Sequence, residues 1–232
     1  MSDIYLKTID DVFNIIDEYE KINYTKFRGQ SNFEWGLIPK VGRAPYNNMP
    51  EEFLFRQWKR RAHSYLSNPN YNKTEWLTIA QHYGLATRLL DWSHNPLVAL
   101  FFAVNDFSDI DGAFFVYVSN KFYSEIVDPF KLKVDEDVIL YSPITTSNRI
   151  ANQFGYFTIH KYPEKDMLSS NHSGKLLRYI IPKEIKQSII FKLHHYGVNN
   201  LSIYPDLEGL AKHLNWFSEN YGHWTSSKEL EF

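Results

Sequence analysis

The chain has 232 residues, 44% of them apolar and 22% charged, with 25 Lys plus Arg set against 27 Asp plus Glu. That length and balance suit a globular chain with a sizeable core and exclude disorder as the main state. A formal charge of −2 excludes a global basic field for non-specific nucleic-acid or membrane binding and leaves room only for a local basic groove. Cysteine is absent, which removes disulfides, thiolate metal sites and cysteine nucleophiles, and a reducing cytoplasm is the expected location.

The first twenty residues are acidic and amphipathic, without the features of an export signal. Ile9, Val12, Phe13, Ile15 and Ile16 recur at helical spacing with Asp10, Asp11, Asp17 and Glu18 on the other face, so residues 1–20 are read as an N-terminal helix. Residues 24–28 read as a short strand closed by Gly29, and 30–50, with Gly, Pro and Asn throughout, as a long loop anchored by aromatic residues. A helix over 51–66 carries acidic residues first and Lys59, Arg60 and Arg61 later, as the helix macrodipole prefers. Another runs from Thr74, as N-cap, to Tyr83, with Gly84 as its left-handed stop. Asn95 and Pro96 open an apolar helix over 96–105. Its apolar run, 97–104, is too short for the roughly 20 residues a bilayer requires.

Strands are predicted at 112–118, 139–141, 154–160, 176–181 and 200–204, with helices at 183–196 and 207–217. A helix-rich first half feeding a strand-rich second half implies an α+β fold with a mostly antiparallel sheet. No repeat or linker divides the chain, so one domain over 1–232 is expected, with 218–232 as a loosely held tail.

The phosphate-loop, dinucleotide-binding, nucleophile-elbow and zinc-protease signatures are all missing, and the nine histidines do not cluster with carboxylates at metal-ligand spacing. No metal is expected. Three segments set polar, glycine-flanked residues into apolar surroundings. In Lys26-Phe27-Arg28-Gly29-Gln30 an arginine ends a strand beside a turn, to hold either an anion or a core carboxylate. Between residues 80 and 92, Gln81, His82, Tyr83, Thr87, Arg88 and Asp91 crowd a predicted junction between two helices. They form either an internal network, with Arg88 and Asp91 paired on one helical turn, or the wall of a cleft. In residues 202–210, Asp206 and Glu208 suit a helix cap and first turn, while Glu208 is also the best-placed general base or cation stabiliser. A weaker fourth segment, 149–158, brackets aromatics with Arg149, Gln153 and Thr158.

Taken in order, FRG, WGLIPKVGR, AQHYGLATRLLDWSHNPLVALFFAV, RIANQFGYFTIH and LSIYPDLEGLAKHL resemble the FRG domain, a bacterial and phage family, from about Tyr24 to Leu214. The order of an Arg-Gly on an early strand and a late carboxylate is also similar to ADP-ribosyltransferases of the Arg-Ser-Glu type. That second resemblance implies an ADP-ribosyltransferase-like sheet and NAD as co-substrate, without a metal. It places Arg28 and Gly29 at the NAD phosphates, Thr158 in the ribose-steadying role, and Glu208 as the catalytic carboxylate. His82, Tyr83 and Arg88 would shape the same cofactor cleft.

The expected activity is NAD-dependent ADP-ribosyl transfer by a toxin or phage-defence effector. Its acceptor would be a nucleic acid or protein and an antitoxin or immunity partner would accompany it, with no membrane association. Two other readings stand beside it: a non-catalytic nucleotide or nucleic-acid binding module built on arginine and aromatic residues, and a nuclease using Asp206 and Glu208. The aromatic fraction of 17% divides in the same way. Phe101, Phe102, Phe114 and Phe115 belong to core elements, whereas Phe27, Trp35, Tyr83, Trp92, Tyr156 and Tyr204 are expected to line one pocket.

Overall fold

The computed structural model describes residues 3–19, 21–22, 24–66, 70–126, 128–142 and 155–221. Its framework is a seven-stranded sheet. The strands are β1 (Ile4–Tyr5), β2 (Thr25–Gln30), β3 (Leu89–Ser93), β4 (Gly112–Ser119), β5 (Val138–Tyr141), β6 (Gly155–His160) and β7 (Gly174–Ile181), in the order β1-β7-β4-β2-β3-β6-β5. Every pairing is antiparallel except that of β1 with β7. The helices are α1 (Ile9–Tyr19), α2 (Glu51–Ala62), α3 (Lys73–His82), α4 (Pro96–Val104), α5 (Lys183–His195), α6 (Asn200–Ile203) and α7 (Leu207–Asn220).

The mixed α/β class and the mostly antiparallel sheet agree with expectation, whereas a helical first half does not emerge. Among the described residues, β1 to β4 and α1 to α4 precede residue 120, and β5 to β7 and α5 to α7 follow it. Both kinds of element interleave in both parts.

Alternation along the strands divides the core. On one face, Phe27, Phe114, Val116 and Ile181 pack under α1, α4 and α5. Further along that face, Leu89, Phe157, Ile159, Ile139 and Tyr141 pack under α2 and α3. The opposite face carries Leu90, Trp92, Phe115, Tyr117 and Leu140 and is covered by Leu37 and Met167, which belong to loops and a short 3-10 turn.

Four local expectations about element type and ends are corrected. Residues 89–93 form a strand and not a helical junction. Residues 200–204 are not a strand: the Asn199 side chain accepts from Leu201 N and Ser202 N, and Ser202 Oγ accepts from Asn199 N, a capping box that winds α6. The cap of α3 is Asn72, with Glu75 completing its box, while Thr74 is buried and donates to the Ile126 carbonyl at 2.6 Å. α7 runs three residues beyond the predicted end at 217.

Gly29 does not turn the chain. It lies within β2, where a Cβ would stand 1.9 Å from the Ala99 carbonyl oxygen and 2.5 Å from the Ala103 nitrogen. The missing side chain lets α4 rest directly on the strand.

Candidate functional site

All six residues of β2 pair with β4 and all five of β3 pair with β6, but β2 and β3 share a single register pair, Phe27 with Ser93. The two central strands therefore part, and a cleft of ≈ 280 Å³ opens beside them. β2 and β3 supply its floor, the end of α3 and one side of α4 its walls, and Gly155 and Phe157 of β6 its edge.

Capping places the polar wall. Gly84, at φ +90, stops α3, and Gly84 N and Leu85 N close back on the carbonyls of Gln81 and Ala80 at 2.8 and 3.0 Å. The chain then enters β3, which brings Gln81 and His82 over Asp91. Gln81 Nε2 donates to Asp91 Oδ1 at 3.0 Å, while Gln81 Oε1 accepts from the Thr87 hydroxyl. The buried threonine thus fixes the amide so that its NH₂ end faces the exposed carboxylate.

Arg28 is half-buried at the floor. Its register partner, Phe115, belongs to the opposite core face, so the guanidinium crosses the gap between β2 and β3 and Nη1 donates to the Asp91 carbonyl at 2.6 Å. Nε is buried without a partner. Burial lowers the affinity of this guanidinium for its proton, the Asp91 carboxylate opposes that, and Arg43 adds to it. A backbone carbonyl therefore holds the cation in place without neutralising it.

Behind the cleft a second layer fixes the aromatic wall. Trp92 Nε1 donates to Thr158 Oγ1 at 3.0 Å, and Thr158 Oγ1 lies 3.0 Å from His160 Nε2. Thr158 and His160 are fully buried, so both support Trp92 from beneath and neither borders the cleft.

Of the residues expected at the site, Arg28, Gly29 and His82 meet in this cleft. Arg88 does not pair with Asp91, because in a strand their side chains point to opposite faces. Its Nε and backbone N each donate to Glu51 at 2.8 Å, its guanidinium lies over the Phe130 ring, and the pair binds α2 to the start of β3. Tyr83 is 67% exposed and does not line the cleft, its ring standing edge-on to His82. Glu208 is also outside it: the side chain is 75% exposed and pairs with Lys212, one turn further along α7, at 2.7 Å. Asp206 accepts from Gly209 N at 2.8 Å as the cap of that helix. The carboxylate that the cleft does contain is Asp91.

The aromatic expectation divides as well. Phe27 and Trp92 line the cleft, joined by Phe102, which reads as a core residue in sequence, and by Phe157 of β6. Trp35 packs edge-on to Phe107, Tyr156 lies under the Lys26 ammonium, and Tyr204 stands behind Phe102. Arg149 and Gln153 lie outside the described residues. Among the described residues no group of three or more His, Asp or Glu side chains is arranged to hold a metal ion, and no helix is long and apolar enough to cross a membrane.

Residues 23–111 match the family model described as FRG domain, which supports the FRG family over that stretch. The match contains Arg28, Gly29, Gln81, His82 and Asp91 and ends before Thr158 and Glu208. No curated protein and no solved structure matches the chain, so the similarity to ADP-ribosyltransferases gains no support from these comparisons.

Proposed function

We propose that the cleft binds a nucleotide-type ligand, with an anionic group on Arg28 and a ring against the Phe27, Phe102 and Phe157 surfaces. The observation that carries this reading is the Arg28 guanidinium. It is held by a carbonyl at the floor of an aromatic cleft, with one N–H unpartnered and no carboxylate in ion-pair contact among the described residues. Such a group binds phosphate strongly because the hydrogen bond is charge-assisted and partly shielded from water. The volume of ≈ 280 Å³ lies just below the range of about 300–1,000 Å³ for small-molecule sites, which suits a mononucleotide or one half of a dinucleotide.

A second reading, ADP-ribosyl transfer from NAD, is favoured by the position of Asp91. The bond broken is that between the ribose C1′ and the nicotinamide nitrogen. Nicotinamide leaves with the electron pair, and a carboxylate facing C1′ stabilises the developing positive charge and takes the proton from the acceptor. In this cleft that carboxylate is Asp91, in the role the resemblance assigns to Glu208. The toxin or phage-defence role belongs to this second reading.

Calorimetric titration with AMP, ADP-ribose and NAD tests the first reading. Arg28→Gln is expected to weaken binding by roughly 10- to 100-fold, the effect of a lost hydrogen bond to a charged group, with Arg28→Lys intermediate. No binding by the wild type, or equal binding by Arg28→Gln, overturns it. Nicotinamide release separates the second reading. Asp91→Asn is expected to abolish release while NAD still binds, and Glu208→Gln to leave release unchanged.

A further inference from the structure

The net charge of −2 conceals a strong local asymmetry on α2. The acidic residues of its first turn are already engaged, Glu51 by Arg88 and Glu52 by Lys73. Towards its other end Arg56, Arg60 and Arg61 are exposed, and none is ion-paired with a carboxylate among the described residues. Lys59 adds a fourth cation beside them, half-buried with its ammonium over the Trp76 ring. The helix macrodipole favours positive charge here, but it does not favour the detailed arrangement. Arg56 and Arg60 are like charges at i,i+4, a spacing that destabilises an isolated helix. Arg60 Nη2 and Arg61 Nη1 both donate to one oxygen, Gln57 Oε1, at 3.2 and 3.1 Å. One amide thus draws two guanidinium groups together with nothing negative between them. An anion bridging them relieves the repulsion.

We infer that this end of α2 is a binding surface for single-stranded nucleic acid, with backbone phosphates on Arg56, Lys59, Arg60 and Arg61. The 3-10 turn that follows α2 adds Tyr65, 86% exposed, as a platform on which an unpaired base stacks. An anionic membrane fits less well, because a helix lying in a bilayer interface needs a free apolar face. On α2 the apolar face, through Phe55, Trp58 and Ala62, is packed against α3. This surface is independent of the ligand assigned to the cleft.

Fluorescence anisotropy with a short labelled RNA or DNA strand of mixed sequence, read against salt, tests it. Four phosphate contacts on a single strand imply a log–log slope of about −2 to −3, and affinity falling roughly 20- to 50-fold between about 50 and about 200 mM salt. The triple variant Arg56→Gln/Arg60→Gln/Arg61→Gln is expected to lose most of the binding and of the salt slope, with an unchanged melting temperature and unchanged nucleotide binding in the cleft. Arg60→Lys/Arg61→Lys should retain most of the binding, and Tyr65→Ala should weaken it about tenfold. No oligonucleotide binding at low salt, or binding that the triple variant leaves intact, overturns the inference. Capture by phosphatidylserine vesicles or by inorganic phosphate without oligonucleotide binding also overturns it.

Discussion

Thr158 has one hydroxyl proton, and its two neighbours decide where that proton goes. The Trp92 indole can only donate, so Thr158 Oγ accepts from it and donates to His160 Nε2. This leaves the His160 proton on Nδ1, which is buried without a partner. Burial, reinforced by nearby Arg28, Arg88 and His172, pushes the imidazole down to about 3 from its ordinary 6.5. The folded protein therefore keeps His160 neutral where the unfolded chain takes up a proton. The unfolded state binds the extra proton at every pH between these two values, so this contribution to stability is complete above about 6.5 and declines as pH falls towards about 3. The decline is about tenfold in the folding equilibrium per pH unit. Urea unfolding at a series of pH values should show wild type losing about one proton's worth of slope more than His160→Gln between roughly pH 6 and 4. Parallel profiles would remove His160 as the cause. This relay was not legible in sequence, because Thr158 and His160 alternate with Phe157 and Ile159 like any strand with one polar face. Only the pairing of β3 with β6 brings Trp92 to them.

At the scale of elements, the contact of α4 with β2 decides whether the cleft exists, since the two supply its floor and one wall. Gly29→Ala places a methyl group inside the van der Waals radius of the α4 backbone at both Ala99 and Ala103. A helix backbone cannot yield as a flexible side chain can, so α4 must lift from the strand, at a cost of about 3 kcal/mol or more. Gly84→Ala is the control: its site is open, and only its positive φ is strained, for about 1 kcal/mol. Thermal melting of the two variants should rank them in that order, and a Gly29→Ala protein as stable as wild type would refute the close approach. In the sequence Gly29 stands out but reads as a turn residue, because glycine signals a turn and a backbone contact equally. β3 is illegible for a different reason. Leu89, Leu90, Trp92 and Ser93 are all buried, so the strand shows no alternation, and the three-residue spacing of Arg88 and Asp91 imitates a helical turn. Some helix ends, by contrast, are legible from their caps, as at Asn95-Pro96 and Gly84, whereas the capping boxes at Asn72 and Asn199 are not. Glu208 illustrates the limit of that signal: an acidic residue in a first turn has the same pattern whether it serves the helix or a ligand.

For the whole molecule, the sheet order determines which part of the chain can stand alone. The stretch matched by the family model, 23–111, holds β2, β3 and three helices, together with most of the cleft side chains. Yet β2 pairs along its length with β4, and β3 with β6, both of which follow residue 111. Without them the two strands retain only the Phe27 and Ser93 pair, and Phe27, Leu89 and Trp92 lose the strands that shield them. Lys186, fully buried in α5, adds a further tie. Its ammonium donates to the carbonyls of Ser31, Asp106 and Phe107 at 2.7, 3.2 and 2.9 Å, so an early loop and the end of α4 are held by a residue from the last quarter of the chain. A fragment ending at residue 111 therefore leaves edge strands and apolar faces open, the condition that produces aggregation or collapse without fixed packing. The expected result is a far-UV circular dichroism melt without a cooperative transition and a poorly dispersed amide spectrum, against a single sharp transition for the full chain. If the fragment melts cooperatively and still binds the cleft ligand, β2 and β3 have found another closure, and the later strands are a cover for the site and not its foundation.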